Sequence, residues 1–232
     1  MANGVSGTRG TSSFQSESGF TKFAALSPDA QAAAIMEAKS ARVPLYLNGN
    51  SDLQRLLYNQ NIVGLPEVIS DDELDKVNGI EIYRTVNEAV DPNRGINLTA
   101  PAIAAQMMWG SQTYVASGTM AFHGEGLYFA NDRTDSENYG YTRGDLQKTC
   151  VIRAKIKPGT KIISERKLVR ECNKEIKNGT ALGKALIGAT DKRSLYAVSK
   201  GYKVIYDDYN YYDVIDRTCL AISDTVTAKS EK

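Results

Sequence analysis

Arg84 stands among alternating apolar residues, Ile80, Ile82 and Val86, and a two-residue period places all four on one face of a strand. A cation on such a face needs a carboxylate partner, a strand end that reaches water, or an anionic ligand. A guanidinium suits phosphate or ribose because its planar fork pairs two oxygens at once. Further on, Gly124-Glu125-Gly126 leads directly into Leu127-Tyr128-Phe129-Ala130. Two glycines ahead of a strand serve a tight bend or let a ligand approach the backbone closely. No helix opens after them, so this is not the GxGxxG dinucleotide fingerprint. Tyr128 and Tyr139 have ten residues between them, and Ser136 precedes the second by three. Rings from a strand and a following helix can wall a slot for a flat heterocycle with a hydroxyl on its rim, or they can pack in a core. His123, beside the glycine turn, is either an exposed loop residue or a phosphate contact. Five tyrosines between Tyr202 and Tyr212 suit a half-buried strand surface, or base stacking on single-stranded nucleic acid.

The elements that must position these groups are legible in part. Residues 1–24 are rich in Ser, Gly and Thr and read as a flexible leader. Ser27-Pro28-Asp29 offers a helix N-cap with Pro in the first turn, and the Ala-rich run to Ala41 continues it. Ser51-Asp52-Leu53-Gln54 and Ser70-Asp71-Asp72-Glu73 carry the capping-box spacing, so residues 25–78 form a helical segment. After Asn78-Gly79 the period changes to two and strands begin. Residues 99–109 read as a helix, 127–131 as a short strand, and 149–156 as a strand with Cys150, Ile152, Ala154 and Ile156 inward. Helices are expected over 167–177 and 192–199, and two or three β segments over 203–222, broken near Asp207-Asp208. Helices first and then mixed elements give an α+β fold, with the working domain at 79–224 and a disordered tail at 225–232.

Composition narrows the chemistry. The 232 residues are 42% hydrophobic and 24% charged, with 28 Lys+Arg against 27 Asp+Glu, ordinary globular usage for one sizeable domain or two small ones. A net charge of +1 argues against binding nucleic acid chiefly through phosphate neutralisation. No apolar run approaches the roughly 18 residues that cross a bilayer, and no signal-peptide core opens the chain. Three scattered cysteines, Cys150, Cys172 and Cys219, and a single histidine exclude a disulfide framework, a CxxC zinc site and a His-rich metal centre.

The string TMAFHGEGLYFANDRTDSENYG, with EIYRT about forty residues upstream, resembles the ADP-ribosyltransferase superfamily. Its poly-ADP-ribose polymerase and diphtheria-toxin branch carries G-x-G-[IV]-Y-F-A followed by a second tyrosine after ten residues, the pattern that runs here from Gly124 to Tyr139. The block Tyr209 to Asp216 looks like that branch's late strand, which bears its catalytic glutamate. The helical lead-in, YRTV and DVIDRT are more similar to transferase-like domains of phage minor head proteins.

The resemblance implies a split, twisted sheet with an NAD cleft and no metal. Tyr139 would stack on the nicotinamide and Tyr128 would form the facing wall, with Gly126 and Phe129 in the same cofactor-binding motif. Ser136 would bond the carboxamide and the Thr85 backbone would pair with it, while Arg84 would hold phosphate or ribose. The glutamate position falls on Tyr211, and Asp207, Asp208, Asp213, Glu125 and Glu137 are the carboxylates available to replace it, Glu125 standing in the glycine turn. These roles imply mono-ADP-ribosylation of a macromolecular acceptor, a host protein first, with release of nicotinamide, in the cytoplasm of a host cell or on a virion. Two other readings use the same fold: a virion or interaction protein with a degenerate NAD cleft that docks through its N-terminal segment, and a nucleic-acid end-modifying enzyme with Arg84, Arg133 and Arg143 on a phosphate.

Overall fold

The computed structural model describes residues 19–41, 51–62, 64–91, 96–110, 126–138, 148–209 and 211–229. Helices open it: α1 (Gly19–Ala24), α2 (Pro28–Ser40), α3 (Asp52–Asn59) and, after strand β1 (Glu67–Ile69), α4 (Asp71–Lys76). Then come β2 (Ile80–Asn87), β3 (Ala89–Asp91), β4 (Ile96–Leu98), α5 (Ala100–Trp109), β5 (Leu127–Ala130), α6 (Arg133–Asn138), β6 (Thr149–Ile156) and β7 (Ile162–Ser164). The chain continues through α7 (Glu165–Lys177), α8 (Ala181–Leu186), α9 (Lys192–Ser199), β8 (Val204–Tyr206), β9 (Tyr211–Val214) and β10 (Leu220–Ala228). This is a mixed α+β fold with a helical N-terminal region followed by a sheet of many strands.

The capping serines read in the sequence are used, although at Ser51 only the serine half of the expected box forms, accepting from the Gln54 amide. Ser27 accepts from the Ala30 amide with Pro28 in the first turn, and Ser70 and Glu73 complete a reciprocal capping box. Thr99 accepts from the Ala102 amide at the head of α5. Two expectations at the ends change. Helix α1 forms within the stretch expected as a leader because Phe20 and Phe23 bury their rings, at 1% and 2% exposure, and burying an aromatic ring outweighs a poor helix composition. Strand β10 runs on to Ala228, past the expected boundary at 224, because Val226, Thr227 and Ala228 pair with Ile152, Val151 and Cys150.

Among the described residues one sheet holds eight strands in the order β1-β10-β6-β2-β5-β9-β8-β7, and β3 pairs with β4 separately. The β1–β10 and β7–β8 pairs are parallel and the rest antiparallel. Strand β2 pairs with β6 over its whole length, Ile80 to Ile156 through Asn87 to Thr149. On its other side it meets β5 only at Tyr83 and Ala130. The sheet is therefore two four-stranded halves joined at one residue pair.

Alternation along the strands gives the sheet two distinct faces. On one, Ile82, Val86, Ile152, Ala154, Leu127 and Phe129 share a core with α5. On the other, Ile163 and Ile205 of the β7–β8 edge join a core built by α1, α2, α3, α7, α8 and α9. The N-terminal helices thus pack directly on the late ones: the Gln31 amide donates to the carbonyls of Phe23 and Ser199.

Helices α3 and α9 are tied by buried carboxylates. Asp191 accepts from the Leu53 amide at 2.7 Å and Asp52 accepts from the Thr190 amide at 3.0 Å. Burial first, then the neighbouring Asp52 charge, push Asp191 up to about 6, against the opposing Leu53 hydrogen bond. Folded protein therefore binds this proton where unfolded chain has released it, and stability from this group falls as pH rises from about 4 through about 6. We expect the unfolding free energy of Asp191→Asn, relative to the parent, to rise by about 2–3 kcal/mol between pH 4 and pH 7. Urea titrations at the two pH values check this, and a difference independent of pH would refute it.

The loop between β9 and β10 anchors α5. Arg217, 6% exposed, donates to the carbonyl of Met107 at 2.8 Å and to that of Gly110 at 3.0 Å. These are carbonyls that the end of a helix leaves without an intrahelical partner. Burial lowers the Arg217 pKa, opposed by Asp216.

Candidate functional site

The three sequence blocks singled out above become neighbouring strands. EIYRT lies in β2, LYFA is β5, and the Tyr211 block is β9, which are consecutive in the sheet. Tyr83, Ala130 and Tyr211 form a line across them, and Tyr128 stands opposite Asp213. Directly opposed residues share a face with Cβ atoms about 5 Å apart. Tyr83, Thr85, Tyr128, Ala130, Tyr211 and Asp213 therefore occupy one face, and Arg84 and Phe129 the other.

Helix α6 lies on the first of these faces. Its Ser136, 4% exposed, sits with its hydroxyl 3.0 Å from that of Thr85. Arg133 steadies α6 from the other end, pairing with Glu137 at 2.8 Å and donating to the Ala228 carbonyl at 3.1 Å. Ser136, Thr85 and Tyr128 are thus brought to one side of the seam between the half-sheets.

Arg84 is at the same seam but leaves it by the opposite face, with Ile82 and Val86. Its Nη1 donates to the Tyr128 carbonyl at 2.7 Å, so the guanidinium continues the link between β2 and β5 one residue beyond the last backbone pair. A hydrogen bond from a charged donor adds about 1.5–3 kcal/mol net. Phe129 is 1% exposed among the α5-side core residues. Tyr139, Glu125 and His123 lie outside the described residues.

Beside the seam, on the α6 face, runs a charged strip that the sequence did not single out. Arg153 pairs with Glu81 at 3.0 Å and with Asp75, and the Tyr83 hydroxyl donates to Glu81. Arg153 holds the Glu81 carboxyl below the usual range. Burial, then the Glu81 carboxylate, raise the Tyr83 phenol. That phenol stays protonated and is held at the mouth of the seam.

Of the five carboxylates weighed as substitutes, Glu125 lies outside the described residues and the other four separate in space. Asp207 accepts from the amides of Tyr209 and Tyr211, each at 2.8 Å, and shapes the turn into β9. Asp208 pairs with Arg166 at the surface, and Glu137 pairs with Arg133. Asp213 is 2% exposed and packs onto Gly126, whose missing side chain leaves the space its carboxylate occupies: a Cβ there would lie 1.6 Å from Asp213 Oδ1. Among the described residues there is no cluster of three or more His, Cys, Asp and Glu that could hold a metal. The thiols of Cys150 and Cys219 are pushed up by burial to about 11 and about 12, which keeps them protonated and unreactive.

No protein-family model, curated protein or solved structure matches this chain. Function therefore has to be argued from the seam itself. Two half-exposed phenols, Tyr83 and Tyr211, flank a small residue, a third phenol stands beside a carboxylate, and two hydroxyls meet above them. Phenol rings beside hydroxyls are the kind of surface on which a flat ring with a polar substituent can lie.

Proposed function

We propose that the chain is an NAD-dependent ADP-ribosyltransferase, moving ADP-ribose to a macromolecular acceptor and releasing nicotinamide. One observation carries the reading: the three segments that resemble the superfamily, up to 130 residues apart in the chain, lie side by side as β2, β5 and β9 along a split in the sheet. In this reading Tyr128 and Tyr139 wall the nicotinamide and Thr85 and Ser136 take its carboxamide, while Arg84, which leaves the seam by the opposite face, is moved from the sugar-phosphate role expected of it to that of a clasp holding β2 to β5 through the Tyr128 carbonyl. Gly126 and Phe129 hold β5 in place. Tyr211 lines the acceptor side where a carboxylate would be usual, and Glu125, outside the described residues, stays a candidate by its place in the sequence alone. A cleft that binds NAD without consuming it is the second reading, favoured by that tyrosine.

Protein incubated with labelled NAD and host lysate should put label on a macromolecule and release free nicotinamide. Release with no labelled acceptor would make the activity hydrolysis, and calorimetric binding without consumption would favour the second reading. Tyr139→Ala should weaken NAD binding about tenfold or more, the scale of one stacked ring. Unchanged affinity in the folded variant would overturn the site.

A further inference from the structure

We infer that the outward face of α7, with Tyr209 at one end of it, is a binding surface for single-stranded nucleic acid. The net charge of +1 averages over a strong imbalance, since residues 157–203 hold 12 Lys and Arg against 4 Asp and Glu. The rest of the chain is net acidic. At about 100° per residue the exposed positions of α7, Arg166, Lys167, Arg170, Asn173, Lys174 and Lys177, fall within about a third of the helix circumference and span about 16 Å of its length. Its carboxylates are drawn aside. Glu165 pairs with Arg193 at 2.6 Å and Glu175 with Lys200 at 3.6 Å, both toward α9, while Glu171 stands 3.9 Å from Lys167. Arg170, Lys174 and Lys177 have no ion pair among the described residues.

The chemistry of the face selects its partner. None of its six side chains is apolar, and the apolar side of α7, through Leu168 and Cys172, is buried in the helical core. A membrane-surface helix keeps its apolar side for lipid, and protein interfaces centre on apolar and aromatic residues with lysine depleted. A row of phosphates matches three lysines and two arginines better. Asp208 pairs with Arg166 and so holds the turn that carries Tyr209 at the first-turn end of the row. Asp207 fixes the same turn by accepting from the Tyr209 amide. Tyr209 is 77% exposed, a ring that core packing does not explain. Cations for the phosphates beside an open ring for a base are what holds an unpaired strand, whereas a duplex keeps its bases stacked inside and offers the ring no face.

Fluorescence anisotropy tests this on the full chain with a labelled oligothymidylate of about 15 nucleotides, within the site sizes of single-strand binders. The parent should bind it with log K falling against log salt at a slope of about −3, as for four phosphates on a single strand. Arg170→Gln, Lys174→Gln and Lys177→Gln combined should bring the slope to about −1 and weaken binding at least about tenfold at low salt. Tyr209→Ala should weaken binding about fivefold or more with the slope and the affinity for a duplex unchanged, because stacking releases no counterions. Circular dichroism checks folding; should the triple variant not fold, its single members, each lowering the slope by about 0.7, decide. A parent that does not bind at low salt, a slope that the charge variants leave at the parent value, or parental affinity in Tyr209→Ala would each overturn the inference. So would equal competition by polyglutamate, which would mark a surface for acidic proteins. No measurement here involves NAD, so the outcome is independent of the transferase reading.

Discussion

Gly126→Ala is expected to destabilise the protein by about 3 kcal/mol or more, at or beyond the upper end for overpacking a buried site. The new methyl would fall 1.6 Å from Asp213 Oδ1 and 2.6 Å from the carboxyl carbon. Nothing in the glycine's own backbone angles demands glycine, so occupied space is the whole cause. Asp213 is 2% exposed and has no open side to swing into. Shortening the obstacle should therefore rescue the change: in an Asp213→Ala background, Gly126→Ala should cost less than about 1 kcal/mol, and the double-mutant cycle should return most of the single-mutant loss as coupling. Chemical denaturation of the four proteins measures it. Additive costs would mean that the carboxylate and the glycine do not share this space.

Arg217→Met is expected to cost about 3 kcal/mol, and the loss should begin at one helix end. The substitution keeps apolar bulk but removes the donors that reach Met107 and Gly110, leaving carbonyls without partners at 1–3 kcal/mol apiece, roughly. The single tryptophan of the chain, Trp109, is the last residue of α5, so its fluorescence reports on that end. In the variant, Trp109 emission should change at lower denaturant than far-ultraviolet circular dichroism does. Coincident transitions at the parent midpoint would show that Arg217 does not hold the helix. Arg217→Lys should fall between the two, because one ammonium on a thinner stem cannot span both carbonyls as a planar fork does.

What the sequence revealed follows from how local each signal was. Capping spacings at Ser27, Ser51 and Ser70 lie within one helical turn, and the alternation of Ile80, Ile82, Arg84 and Val86 lies within one strand, so both could be read directly. Strand β1 could not: its three residues pair with Ala221, Ile222 and Ser223, about 150 residues later. Helix α1 hid inside a Ser/Gly-rich stretch, although the three-residue spacing of Phe20 and Phe23 was a usable sign of a buried helical face. For the site, the meeting of Ser136 with Thr85 depends on α6 folding back onto β2, which no short window of sequence contains. The separation of Arg84 from Thr85 across the sheet was implicit in their being adjacent strand residues. The pairing of Tyr128 with Asp213 was not, because the register between β5 and β9 depends on contacts that no short window contains.

The single bridge between Tyr83 and Ala130 has a mechanical meaning. One plate carries β1, β10, β6 and β2, the other β5, β9, β8 and β7, and they are joined by that bridge, the Arg84 clasp, helix α6 laid across the gap and the apolar core that both share with α5. A molecule gripping only one plate leaves the join alone. One that touched Thr85 on β2 and Tyr128 on β5 together would tie the two plates across the seam.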